Sequence, residues 1–145
     1  MRTCIILNPI AGSAKQTDGM QERLEGLKAE ALHVSQQPGD AERFAEESSQ
    51  AGAELIISAG GDGTLNEVVN GIANAGCNSA LAVLPLGTGN DFARTLGIPD
   101  DFDRAVQQIM DGRIREVDLV RVPVIGYAIS LTFPPAALAE SLTKS

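Results

Sequence analysis

Apolar positions recur along this chain in two alternating rhythms, and their alternation predicts the fold. Thr3-Cys4-Ile5-Ile6-Leu7 is a short, β-branched run closed by Asn8-Pro9, the pattern of a buried strand. Beyond the small-residue loop Ala11-Gly12-Ser13-Ala14, the residues Met20, Leu24, Leu27 and Ala31 fall at helical spacing and predict one apolar helix face. Leu32-His33-Val34-Ser35 predicts a second strand. Pro38-Gly39 turns the chain, and Asp40 is placed to cap a polar helix reaching Gln50. Glu54-Leu55-Ile56-Ile57-Ser58 predicts a third strand, too apolar for a sheet with one face in water.

The pattern then repeats. Leu65, Val68, Val69 and Ile72 mark an amphipathic helix, and Ala80-Leu81-Ala82-Val83-Leu84 a fourth strand closed by Pro85. A shorter helix is expected from Asn90. Pro99-Asp100-Asp101 introduces another, with Phe102, Ala105, Val106, Ile109 and Met110 on one face and Gly112 at its end. Strands alternating with helices indicate a largely parallel sheet with helices on both faces. From residue 113 the character changes. Arg113 to Val122 and Tyr127 to Phe133 read as two strands with no helix between them, which suits a hairpin or an added sheet edge.

Composition narrows the function classes. The 145 residues are 43% hydrophobic, 21% charged and 3% aromatic, enough for one domain that buries most of its unfolded surface. No apolar run approaches the ~18 residues of a membrane-spanning helix, and the N-terminal run is too short for a signal peptide. Cys4 and Cys77 have neither metal-ligand nor disulfide-framework spacing, so the expected location is a reducing cytoplasm. With 11 Lys and Arg against 19 Asp and Glu, the net charge is −8. That argues against nonspecific nucleic-acid binding and against simple adsorption to anionic lipid. A single histidine, His33, leaves too few parts for a His triad or a multi-histidine metal site.

Candidate chemistry lies in the loops after strands one, three and four: Asn8-Pro9-Ile10-Ala11-Gly12-Ser13, Gly60-Gly61-Asp62-Gly63-Thr64, and Pro85-Leu86-Gly87-Thr88-Gly89-Asn90-Asp91. In open parallel sheets, ligands bind outside the carboxyl ends of the strands. Glycines let the backbone approach a ligand closely, and a helix starting directly after them aims unpaired N–H groups and a partial positive charge at that point. That is a recipe for holding phosphate in a protein of strongly negative net charge. Thr64 and Thr88 add hydroxyls and Asn8 an amide. Any one loop could be a tight turn and nothing more; three at one sheet edge point to a nucleotide site. Neither a Walker A string nor a complete dinucleotide fingerprint is present, since Asn66 and Phe92 stand where a third Gly belongs. Asp62 would repel a phosphate unless a cation such as Mg2+ lay between them. Alternatively it accepts a substrate hydroxyl proton, or caps the helix that follows.

These segments resemble a known signature. Gly60-Gly61-Asp62-Gly63-Thr64-Leu65-Asn66-Glu67-Val68-Val69-Asn70-Gly71 closely resembles that of the diacylglycerol kinase catalytic-domain family, which includes sphingosine kinases and bacterial soluble lipid kinases. The resemblance continues through Asn8-Pro9-x-Ala11-Gly12, Gly39-Asp40-Ala41, Leu86-Gly87-Thr88-Gly89-Asn90-Asp91-Phe92-Ala93-Arg94 and Val117-Asp118-Leu119, covering residues 3 to 122.

The resemblance implies a three-layer α/β fold, an open, mainly parallel sheet with helices on both faces as in the N-terminal domain of NAD kinases and phosphofructokinases. Residues 1–122 would be the nucleotide-binding domain. Carried over position by position, ATP contacts fall on Asn8, Pro9, Ile10, Ala11 and Gly12. They continue on Ser35, where the family commonly has Thr, on Gly60, Gly61, Asp62, Gly63, Thr64, Leu65, Asn66 and Glu67, and on Gly87 and Thr88. The resemblance places Asp62 at the phosphoryl-transfer centre, linked to Mg2+, with Asp91 and Asp118 as supporting acidic positions. Phosphoryl transfer depends on in-line positioning and charge neutralisation more than on covalent chemistry. Asn66, Asn70 and Asn74 make a polar stripe along the Leu65 helix; the plain reading for Asn70 and Asn74 is a solvated face, and it is preferred for Asn74. Arg94 would meet a phosphate or pair with Asp91.

Family members also carry a second, mainly β domain with the lipid pocket. Residues 123–145 would be its truncated beginning, or else an edge strand and tail. An apolar edge over residues 126–133 is expected to be covered by another chain, as in a homo-oligomer, or by its own tail. The leading expectation is ATP-dependent phosphoryl transfer to a lipid hydroxyl at a membrane surface, diacylglycerol-like or sphingoid, with this chain supplying the ATP-binding half. The alternatives are a nucleotide-binding module that binds ATP and Mg2+ without turnover, and an enzyme similar to NAD kinase. No nucleic-acid partner is expected.

Overall fold

Successive residues of β1 (Thr3–Leu7) face opposite layers, and both layers exclude water: Ile5 and Leu7 pack one way, Cys4 and Ile6 the other, each between 0% and 3% exposed. A strand buried on both faces has to be covered by helices on both, and the chain provides them. The computed structural model describes residues 2–9, 19–86, 90–111, 119–122 and 126–129.

On one face, α1 (Met20–Glu25) contributes Met20 and Leu24, and α5 (Phe102–Met110) contributes Phe102, Ala105, Val106 and Ile109. These pack on Ile5 and Leu7, on Ile57 and Ala59 of β3 (Leu55–Gly60), and on Leu84 of β4 (Ala80–Pro85). On the other face, Ala41 and Ala45 of α2 (Asp40–Gln50) and Val68 and Ile72 of α3 (Asp62–Asn74) cover Cys4, Ile6 and Ile56. Leu65 and Val69 of α3 meet Val83 and, from α4 (Asp91–Thr95), Phe92 and Ala93. Burying each large aliphatic side chain stabilises the fold by about 1.5–3 kcal/mol.

The four strands, with β2 (Ala31–Val34), form a parallel sheet in the order β2-β1-β3-β4. The expected three-layer α/β fold is therefore present, with several boundaries moved. The first helix ends at Glu25, because Ala31 belongs to β2, where it pairs with Cys4. β2 stops at Val34, leaving Ser35 in the following loop. β3 runs on through Gly60 and β4 through Pro85, and these two residues pair with each other. Proline is tolerated there because β4 is an edge strand. α3 begins at Asp62, earlier than the Leu65 periodicity suggested. Met110 is 75% exposed, so it does not share the apolar face of α5.

β5 (Leu119–Val122) and β6 (Gly126–Ile129) form a separate antiparallel hairpin, and β6 runs beside α3. The hairpin reading holds: among the described residues these two strands pair with each other and neither pairs with the parallel sheet. The expected strand portions over 113–118 and 130–133 lie outside the described residues.

Candidate functional site

Because the strands are parallel, all four carboxyl ends open on one edge of the sheet. After β1 the chain goes to β2 on one side, and β3 then inserts on the other side of β1. The crevice between the ends of β1 and β3 is thus the topological switch point, where open α/β sheets bind ligands. Asn8 leaves β1 there, and Gly60-Gly61-Asp62 leaves β3.

Main-chain and side-chain bonds tie these ends together. The Asn8 N–H donates to Ala59 O at 3.0 Å. Asn8 Nδ2 donates to Thr64 Oγ1 at 3.1 Å, joining the β1 loop to the first turn of α3. Thr64 is 3% exposed, so its hydroxyl serves this bond from inside the fold. The room it occupies exists because residue 60 has no side chain: a Cβ on Gly60 would stand 2.6 Å from Thr64 Oγ1 and 2.8 Å from its Cβ. The Leu86 N–H, just beyond β4, donates to Gly60 O at 2.9 Å.

Helix α3 supplies the anion-favouring end. Leu65 N–H makes a helical bond to Gly61 O at 3.0 Å, so the N–H groups of Asp62, Gly63 and Thr64 precede the first repeat of that ladder. A Cβ on Gly63 would meet nothing within 4 Å, so this turn borders open space. Asp62 does not cap the helix; it lies within the first turn, and its Oδ2 accepts the Asp91 N–H at 2.9 Å. That bond brings two expected acidic positions, from the β3 and β4 loops, side by side. Asp91 Oδ1 also lies 3.5 Å from Arg94 Nη1, which answers the expectation for Arg94 with an ion pair. Among the described residues no three His, Cys, Asp or Glu side chains cluster to hold a metal, so Asp62 could give a cation one carboxylate, with the remaining ligands coming from elsewhere.

The remaining expected contacts divide by where their side chains sit. Leu65 is buried in the α3–α4 core, so only its backbone is available to a ligand. Asn66 is exposed and its carbonyl accepts Asn70 Nδ2 at 2.7 Å. Asn70 is 6% exposed and so is not on a solvated face, whereas Asn74, the position for which that reading is preferred, is exposed and donates to Glu42 at 3.1 Å. Glu67 Oε1 accepts the Gly39 N–H at 2.6 Å. Ser35 is 9% exposed, and its N–H donates to Leu7 O at 2.8 Å. Pro9 is exposed beside Asn8. Ile10, Ala11, Gly12, Gly87, Thr88 and Asp118 lie outside the described residues.

Asp40, read in sequence as a helix cap and as part of the Gly39-Asp40-Ala41 resemblance, does not cap α2. Asp40 is the first residue of α2, and its Oδ2 turns back to accept the N–H groups of Gln36 at 2.9 Å and Gln37 at 3.2 Å. The Gln36 N–H above all, then that of Gln37 and the Arg43 guanidinium, hold its carboxyl below the ordinary aspartate range against the opposing effect of burial. The signal for this role was an aspartate directly after Pro38-Gly39, where a turn must be closed.

Comparison with known proteins shows the family and the fold. The diacylglycerol kinase catalytic domain matches residues 2–122. A Klebsiella pneumoniae protein named "Probable lipid kinase YegS-like" is 38% identical over 122 residues, covering 81% of this chain and 40% of that protein. "Probable lipid kinase YegS" of Salmonella heidelberg is 37% identical over 124 residues, with the same coverage. A crystal structure of a diacylglycerol kinase from Bacillus anthracis superposes with a TM-score of 0.68 at 33% identity, covering 81% of this chain and 46% of that one. The chain thus spans about two fifths of the length of the curated relatives it matches.

Proposed function

The chain belongs to the diacylglycerol kinase catalytic-domain family, and from that premise we propose that it supplies the ATP-binding half of a kinase that phosphorylates a lipid hydroxyl. The observation that carries this reading is the convergence at the β1/β3 switch point. There the Asn8–Thr64 bond fixes the open first turn of α3, and the Asp62 carboxylate accepts the main-chain N–H of Asp91, tying the start of α4 to that turn.

In this reading the N–H groups of Asp62, Gly63 and Thr64 receive phosphate oxygens, and the uncluttered face at Gly63 lets them come close. Asp62 is the residue that would hold Mg2+, with Asp91 supporting it from the neighbouring loop. Bound there, the ion would neutralise charge on the phosphates, which is what phosphoryl transfer chiefly requires. Asn8 keeps Thr64 and the β1 loop in register, so that the nucleotide meets a preformed surface. Ser35 and Thr88 are proposed as hydroxyl contacts, and the acceptor is a diacylglycerol-like or sphingoid alcohol at a membrane surface.

Calorimetry of the chain with MgATP, and transfer of labelled γ-phosphate to diacylglycerol or a sphingoid base by full-length protein, test the proposal. Binding and lipid labelling are expected, with Asp62→Ala lowering transfer on the order of a hundredfold. No heat with MgATP on folded protein would overturn it. A second reading concerns the matched domain by itself: residues 2–122 bind nucleotide without turnover. ATP hydrolysis by the chain alone, abolished in Asp62→Ala, would exclude that second reading.

A further inference from the structure

We propose that Asp40 is a positioning residue of the nucleotide site, holding the loop of residues 35–39 in the shape that keeps Ser35 and Gly39 against the ends of β1 and α3. This inference rests on the reading of the site as an ATP cradle and adds to it a side chain outside the glycine-rich segments.

The carboxylate closes the loop. Its Oδ2 accepts two main-chain N–H groups, from Gln36 and Gln37, and its Oδ1 lies 3.5 Å from Arg43 Nη2. Asp40 is 8% exposed, so water has little access to compete for these bonds. The loop is also fastened at both ends to the site. At one end, the Ser35 N–H donates to Leu7 O, one residue before Asn8. At the other, the Gly39 N–H donates to Glu67 Oε1, one helical turn past Thr64. Asn8 bonds Thr64, and the circuit closes: Leu7 and Asn8, Thr64, Glu67, Gly39, the loop, Ser35, and Leu7 again.

Within the loop segment of this circuit, the Asp40 carboxylate ties together the main chain of Gln36 and Gln37, while Glu67 holds Gly39 from α3. Two carboxylates near a triphosphate would ordinarily repel it. Here both Asp40 and Glu67 are turned onto main-chain N–H groups, so the charge is answered locally while the loop is held.

The test is titration with MgATP of wild type, Asp40→Asn, Glu67→Gln and the double variant, with thermal unfolding of the same samples. Asp40→Asn is expected to weaken binding roughly tenfold, because a neutral acceptor replaces a charge-assisted one. The double variant is expected to weaken it no more than the stronger single change, since both act through one loop. A lower unfolding temperature with unchanged affinity in Asp40→Asn overturns the proposal, as does full additivity. If Asp40→Asn does not fold, amide exchange in the wild type decides. Gln36 and Gln37 amides that are protected, and more so with MgATP, support the role; freely exchanging amides overturn it. Wild type that binds no MgATP overturns the proposed function together with this inference, whereas binding that Asp40→Asn leaves intact overturns this inference alone.

Discussion

At the end of β3, residues 60 and 64 compete for the same volume. Gly60 yields it, and Thr64 fills it and takes the Asn8 amide. Gly60→Ala would push a methyl into the threonine side chain: Oγ1 could rotate away only by giving up its place, and Cβ, 2.8 Å off, is fixed by the helix backbone. The expected cost is about 1–3 kcal/mol, read from urea unfolding, with weaker MgATP binding as the Asn8 bond is lost. Asp40 sets a pH dependence. Its folded carboxyl is held below the ordinary value, so its contribution to stability is fully present above the unfolded value of about 3.9 and is lost as pH falls through the lower folded value. The stability gap between wild type and Asp40→Asn is therefore expected to be widest near neutrality and to close in acid. A gap that stays constant throughout the acid range would contradict this. Neither effect is visible from residue types alone, because each depends on a partner brought close by a fold: Thr64 on a helix turn, and Gln36 and Gln37 on a loop bent back over Asp40.

At the scale of elements, the crossing of α2 and α3 places the second site loop. Gly71 lies at that crossing: a Cβ there would run into the Glu42 carbonyl and stand 2.6 Å from Ala45 Cβ and 2.8 Å from Glu46 N. Backbone atoms cannot rotate aside, so Gly71→Ala is expected to force the helices apart. The cost is about 1–3 kcal/mol in urea unfolding, and the Gly39–Glu67 bond should loosen with it. The apolar spacing of Leu65, Val68, Val69 and Ile72 made α3 legible in sequence, because burying one face of a helix repeats every three or four residues. Its first residues were not legible that way. Asp62 and Gly63 carry no apolar side chain, so the periodicity starts later than the hydrogen-bond ladder. The short α1 was over-read for the opposite reason: Ala31 fits a helical face, yet the edge of β1 claims it for the sheet.

For the whole molecule, ligand binding should register as stability. A ligand that binds the native sheet edge and not the unfolded chain stabilises by mass action, so MgATP at a hundred times its dissociation constant is expected to add about 2.7 kcal/mol in urea unfolding. ADP without Mg2+ should add less if Asp62 acts through the ion. By itself the sequence determined the alternation of strands and helices, the two-sided burial of the sheet and the three glycine-bearing loops, because each follows from local spacing and backbone freedom. It also carried the family signature, which is a property of residue order. Only the tertiary structure decided that β3 lies against β1 on the side away from β2, which brings Asn8 and Thr64, far apart in the chain, within hydrogen-bond reach. The structure likewise decided that Asp62 meets Asp91 and that Glu67 meets Gly39. Those pairings join residues 29 and 28 positions apart, and no local pattern encodes them: they arise when parallel strands align their ends and helices pack at a distance set by their smallest residues.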